Sequence, residues 1–180
     1  MSEPGRCSVS TLLYLFDEQD RVLLMQRAQE PNLGLWSPCG GKVKLHEGES
    51  PYEGAAREAE EETGLTVDPA ALHLTGLITE RDDTTRKHWL MFLFEVKMRI
   101  KDVPRAHREG VFGLFTRAEV EGLAMPEQDR EVLWPYFWQN RGGFFAARCH
   151  LTSGQGPKWI IEEANRRSAV PGPTLSTTSK

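Results

Sequence analysis

Long hydrophobic runs are missing from this 180-residue chain. The longest, Trp89–Phe94, falls far short of the roughly 20 residues that a membrane-crossing helix needs. The opening Met1-Ser-Glu-Pro-Gly has neither the positive start nor the apolar stretch of a secretory signal, so a cytoplasmic protein with no membrane partner is expected. Cysteine is scarce too. Cys7, Cys39 and Cys149 are odd in number, far apart and without a C-x-x-C spacing, which argues against a disulfide framework or a thiolate zinc site. Nor is there an excess of positive charge. Lys and Arg number 22 against 26 Asp and Glu, for a net charge of −4. A long nucleic acid, whose binding leans on many Lys/Arg–phosphate contacts, is therefore not expected as a partner. A small anion still fits, because a bound cation can reverse the local field. There is no internal repeat and no composition break that would mark a second domain.

What is present is ordinary globular composition, 39% hydrophobic and 27% charged. Residues 8–16 and 22–25 read as strands joined by the polar turn 17–20. Residues 28–41, with Pro31, Gly34, Pro38, Gly40 and Gly41, read as a loop. Further strands are expected at 71–80, 87–97, 111–115 and 144–151, and a strand or helix at 159–165. A helix is expected over 128–139, kinked or delayed by Pro135. The Pro- and Ser/Thr-rich end reads as disordered, giving one domain over 1–166 and a tail over 167–180. Strands interleaved with a few helices suggest an α/β (α+β) fold, a mixed sheet covered on both faces.

The clearest element is a helix over 51–63. Ser50 can cap it, Pro51 suits its first position, Glu53 completes an S-x-x-E capping box, and Gly64 ends it. At about 100° per residue, Glu58, Glu61 and Glu62 share an arc of roughly 100°, Glu60 points elsewhere, and Tyr52, Ala55, Ala56, Ala59 and Thr63 form a packing face. Like charges at these spacings destabilise a helix. A solvated acidic face is one account of them. Ligation of a hard cation such as Mg²⁺ or Mn²⁺ is the other, and the glycines just upstream favour it, since backbone there can approach a ligand closely.

Residues 40–65, GGKVKLHEGESPYEGAAREAEEETGL, resemble the Nudix box, G-x5-E-x7-R-E-U-x-E-E-x-G-U with U aliphatic. From Glu49 through Arg57-Glu58, Ala59, Glu61-Glu62, Gly64 and Leu65 the pattern is followed. The departure is that seven residues, not five, separate Gly41 from Glu49, an insertion around Lys44–Glu47. Glu47 is an alternative first glutamate, but it breaks the spacing to Arg57. The resemblance implies a single-domain α/β/α Nudix sandwich and metal-dependent hydrolysis of a nucleoside diphosphate linked to another group. Carried over, Glu58, Glu61 and Glu62 would ligate Mg²⁺ or Mn²⁺ with the Gly40 carbonyl, Glu49 would assist, and Arg57 would hold a glutamate in place. Glu109 is the candidate general base, with an exposed loop glutamate as the alternative, and His107 reads as a loop residue.

Substrate contacts are expected from Gly41, Lys42, Trp36 and Ser37, and from the loop Glu127, Gln128 and Asp129. The sequence around Trp36 and 125–138 resembles the oxidised-purine nucleoside triphosphatase branch, in which such a loop reads the base. Trp134, Trp138, Phe144 and Phe145 are aromatics that could stack on it or pack the core. Ser37 departs from the Asn frequent there. ADP-ribose, dinucleoside polyphosphates, nucleotide sugars and a non-catalytic nucleotide-binding role stay open. The partner expected is a small nucleotide.

Overall fold

The run from Leu13 to Phe16 is buried at every position. A strand apolar on both faces belongs in the middle of a sheet covered on both sides, and that is where it lies. The computed structural model describes residues 6–106, 108–154 and 156–165. His107 and the tail 167–180 lie outside the described residues. The elements are β1 (Arg6–Asp17), β2 (Val22–Arg27), β3 (Trp36–Ser37), α1 (Pro51–Thr63), β4 (Leu72–Asp82), β5 (Lys87–Ile100), β6 (Gly110–Phe115), α2 (Arg117–Glu121), α3 (Trp134–Asn140), β7 (Phe144–Leu151) and β8 (Lys158–Asn165).

Eight strands make one mixed sheet in the order β3-β2-β1-β5-β4-β7-β8, with β6 laid along β2. The pairs β1–β5 and β4–β7 are parallel and the rest antiparallel. Each face carries its own core. On one, Leu13, Leu15, Phe94 and Val96 pack on Ala55 and Ala59 of α1. On the other, Tyr14, Phe16, Ile78, Leu93 and Phe145 pack on Leu133, Trp134 and Phe137.

The segment 159–165 is a strand, β8, extending from Lys158. The helix foreseen over 128–139 starts with α-helical Glu127 and Gln128 and then widens into a π-helical turn over Asp129–Leu133, closed by the Trp134 N–H on the Asp129 carbonyl. Pro135 has no N–H to give an ordinary helical bond to residue 131, and regular α-helix resumes at Trp134. The short helix α2 was not foreseen. Its one signal is Thr116-x-x-Glu119, and both bonds of that capping box form.

Candidate active site

The chain before α1 is pinned to the edge of β1. Leu13 N–H donates to the Cys39 carbonyl (2.8 Å), Thr11 N–H to that of Gly41 (2.9 Å), and Val43 N–H to that of Val9 (2.9 Å). Gly40 sits between with φ 141°, a conformation that favours glycine, and a side chain there would strike the Thr11 carbonyl. At Gly41 the space a Cβ would occupy is held by the Glu58 carboxylate. Two glycines therefore let α1 press its acidic face against backbone.

Helix α1 is fixed in register by its caps. Ser50 Oγ accepts from Glu53 N–H (3.2 Å), the Glu53 carboxylate accepts from Ser50 N–H (2.8 Å), and Gly64 closes the helix in the left-handed region. Arg57 then gathers the site. Its Nε and Nη2 fork the Glu49 carboxylate (2.7 and 3.1 Å), Nη1 reaches Glu58 (2.7 Å) and Glu61 (3.1 Å), and Nη2 also donates to the Lys42 carbonyl (3.0 Å). Lys44 N–H donates to the same Glu49 carboxylate (2.7 Å). Hydrogen bonds from Arg57 are the main reason the Glu49 carboxyl titrates at about 2. Glu47 is exposed and pairs with His46, so Glu49 is the glutamate that belongs to the cluster. The two inserted residues are accommodated in an exposed 3₁₀ turn over Leu45–Glu47.

Glu62 is the buried carboxylate of the site, accepting from Gly40 N–H (2.8 Å). Burial pushes it up to about 7, against the Gly40 bond, and the charges of Glu58 and Glu109 push the same way. Glu58 is raised by burial first, with Glu61 and Glu109 adding and Arg57 opposing. Glu109, half-buried ahead of β6, thus projects its field onto both carboxylates. Glu61 is exposed, and so is Glu60. Among the described residues, no three Asp, Glu, His or Cys side chains converge as metal ligands do. Glu58 and Glu61 both face the positive charge of Arg57, and Glu61 also lies 3.9 Å from Lys44 Nζ.

The expected substrate residues are split between two places. Gly41 and Lys42 lie beside the carboxylates, with Lys42 Nζ 5.5 Å from the Trp89 ring. Trp36 and Ser37 form β3, and Trp36 packs edge-on against Phe115. Glu127 is exposed and Gln128 half-buried. The Asp129 carboxyl is pushed up to about 7, by burial first and Glu80 second. Trp134 and Phe145 are core side chains, 3% and 1% exposed, so they cannot stack on a base. Glu80 is a half-buried carboxyl group that no motif pointed to.

A glycine pair, a capped acidic helix and an arginine hub recur as a unit in one family, and residues 8–135 match its model, the NUDIX domain. The chain belongs to the Nudix family. A mutator MutT protein of Bacillus halodurans has the same fold, with a TM-score of 0.70 and 25% identity, covering 86% of this chain and 97% of that one. The oxidized purine nucleoside triphosphate hydrolase of Mus musculus is 43% identical over 67 residues, 37% of this chain and 40% of that protein. The isopentenyl-diphosphate Delta-isomerase of Streptomyces avermitilis is 40% identical over 78 residues, 42% of this chain and 38% of that protein. The matches to these two relatives span well under half of their lengths. Nudix hydrolases generally use divalent metal ions.

Proposed function

We propose that this Nudix protein hydrolyses a diphosphate bond in a nucleoside diphosphate-X substrate, foremost a purine nucleoside triphosphate, giving a monophosphate and pyrophosphate. The observation that carries it is the pair of carboxylates set against the two glycines, Glu62 on Gly40 N–H and Glu58 in the space beside Gly41, both made more receptive to positive charge by burial and by Glu109. Hard oxygen donors under mutual repulsion suit Mg²⁺ or Mn²⁺. Glu58, Glu61, Glu62 and the Gly40 carbonyl would hold the cation, and Glu49 would support them. When bound, it neutralises phosphate charge and lowers the pKa of a coordinated water. Arg57 orients Glu49, Glu58 and Glu61, Glu109 takes the proton of the attacking water, and Lys42 pairs with phosphate.

Support for a triphosphate comes from the murine relative, and Asp129, one of the loop residues expected to contact the base, is the candidate for that contact. Ser37 offers one hydroxyl where an amide would offer two groups, so selectivity for an oxidised base rests on the Asp129 side. The test is product analysis on matched triphosphates, ADP-ribose, a dinucleoside polyphosphate and isopentenyl diphosphate, with and without Mg²⁺. Metal-dependent pyrophosphate release from triphosphates is expected, lost in EDTA and recovered with Mg²⁺ or Mn²⁺. Turnover in excess EDTA would refute the metal assignment. A tenfold higher kcat/KM on ADP-ribose or the dinucleotide would refute the substrate, and conversion of isopentenyl diphosphate to its isomer would refute hydrolysis.

A further inference from the structure

Residues directly opposite each other on neighbouring strands share a face of the sheet. One such row crosses the sheet near one end, from Cys7 on β1 through His88 on β5, Arg81 on β4 and His150 on β7 to Lys158 on β8. After a bulge between Leu74 and Gly76, Ile78 of β4 belongs to the core on the α3 side, and so do Ala147 of β7 and Ile161 of β8. Alternation from each of them puts Arg81, His150 and Lys158 on the opposite, α1 side. Helix α1 does not cover them. The core it packs on contains, among the described residues, no side chain of β7 or β8. Arg148, two residues from His150, and Lys158 are exposed, and Ile160, opposite Arg148, is 40% exposed.

Positive charge collects along this row. A cavity of about 180 Å³ opens among Arg81, Arg148, His150 and Lys158, and another of about 610 Å³ among Arg81, Arg86, Lys87 and His88. Arg81 walls both, so together they form one trough. Strands stand about 4.8 Å apart, so His88 and Lys158, three strand steps from each other, are separated by roughly 14 Å. The acids nearby are engaged. Asp83 accepts from Arg81 Nε (2.7 Å) and meets His150 Nε2 (2.6 Å), Glu162 pairs with Arg148 (3.4 Å), and Asp82 accepts from the N–H groups of Thr84 and Thr85. Lys158 has no ion-pair partner among the described residues. Arg81, Arg86, Lys87, Arg148 and Lys158 outnumber Asp82, Asp83 and Glu162, so the trough is positive in a chain whose net charge is −4.

We propose that this trough binds a short chain of linked phosphates, inorganic tripolyphosphate being its simplest form, at a place separate from the carboxylates of α1. Those carboxylates stand at the other edge of β1, against Gly40 and Gly41. The inference goes beyond the hydrolase function and does not depend on it. Guanidinium forks and an ammonium group are the natural partners of phosphate oxygens. Set in a row across the strands, they suit an anion whose charges repeat along a line. Nucleic acid fits less well. Neither this row nor the next one inward, Val9, Leu90, Thr79, Arg148 and Ile160, offers a Phe, Tyr or Trp ring on which a base could stack. Trp89 and Trp159, next in sequence to His88 and Lys158, point to the other face.

The test is calorimetric titration of inorganic tripolyphosphate into the full chain, with EDTA present and no divalent metal. Binding should weaken as salt rises. The double substitution Arg148→Glu with Lys158→Glu should weaken it at least about tenfold, the worth of one charge-assisted hydrogen bond. Both side chains are exposed and the Arg148–Glu162 pair lies at the surface, so the fold should stand. Lys97→Glu with Lys101→Glu removes as much positive charge from exposed positions at the far end of β5, and should change the affinity less than about twofold. Glu62→Gln should bind as the unmodified protein does. No measurable binding, or an equal loss in the two double variants, overturns the site. Loss in Glu62→Gln overturns it too, because the anion would then sit among the carboxylates of α1. Oligothymidylate of equal charge should bind at least about tenfold more weakly than tripolyphosphate. Equal or tighter binding of the oligonucleotide makes the trough a nucleic-acid site and overturns the proposed ligand. None of these readouts needs hydrolysis, so the proposal can fail without the hydrolase function and the function without the proposal.

Discussion

Three of the glutamates on α1 hold very different positions, and substitution should separate them. Glu62 is buried on Gly40 N–H, Glu58 fills the space beside Gly41, and Glu60 is exposed. Glu62→Gln keeps the shape and removes the charge, so kcat should fall at least about 100-fold while the circular dichroism spectrum holds. Glu60→Gln should leave kcat and stability nearly unchanged. A larger loss at Glu60 than at Glu62 would contradict the helical register. Arg57→Lys keeps a charge but not the fork that meets Glu49, Glu58, Glu61 and the Lys42 carbonyl together, and activity should drop about 10- to 100-fold. Asp129 makes a pH prediction. Unfolded, it titrates near 3.8; folded, at about 7. Between those values the unfolded chain has released a proton that the folded chain keeps, so its contribution is full at low pH and is lost as pH rises through the window. The melting temperature of Asp129→Asn should therefore gain on the unmodified protein from pH 4 to pH 7, and a pH-independent difference would show that the carboxyl is not desolvated.

At the scale of elements, α1 was the most legible part of the sequence because its determinants are local. Ser50, Pro51, Glu53 and Gly64 set its ends within the chain itself, and the observed helix has the expected bounds. Ser50→Ala should cost about 1 kcal/mol, lowering the melting temperature by roughly 2–4 °C in a protein of this size. The inserted turn is legible as extra length but not as shape. Because Arg57 and Lys44 N–H hold Glu49 from both sides of it, deleting Leu45 and His46 should leave kcat/KM within about threefold. A larger loss would mean that the turn touches substrate. Strand β4 shows where reading fails. Simple alternation from Leu72 puts Glu80 on the α1 face, and the bulge at residue 75 puts it on the other. Gly76 is the one residue in that segment that hints at a bulge, but it does not say which way the register shifts, so the face that Glu80 takes was not legible from sequence.

Across the whole molecule, the fold class followed from strands interleaved with few helices, whereas the strand order did not. Neighbours such as β1 and β5 are chosen by burial on both faces, a property of the assembled sheet. Ser10 pairs with Met91, and Ile78 with Ala147, so both parallel pairs join distant parts of the chain. Everything from Gly40 to Glu62 lies inside the first of these loops. That arrangement has a kinetic consequence. Closing such loops costs chain entropy before any contact repays it, so the domain should refold on the order of milliseconds to seconds, not microseconds. Helix α1 can form early from its own caps, but the backbone that carries Gly40 and Gly41 has an edge to lean on only once β1 is in place. Hydrolytic activity should therefore return with the slowest refolding phase, after most of the helical signal has been regained.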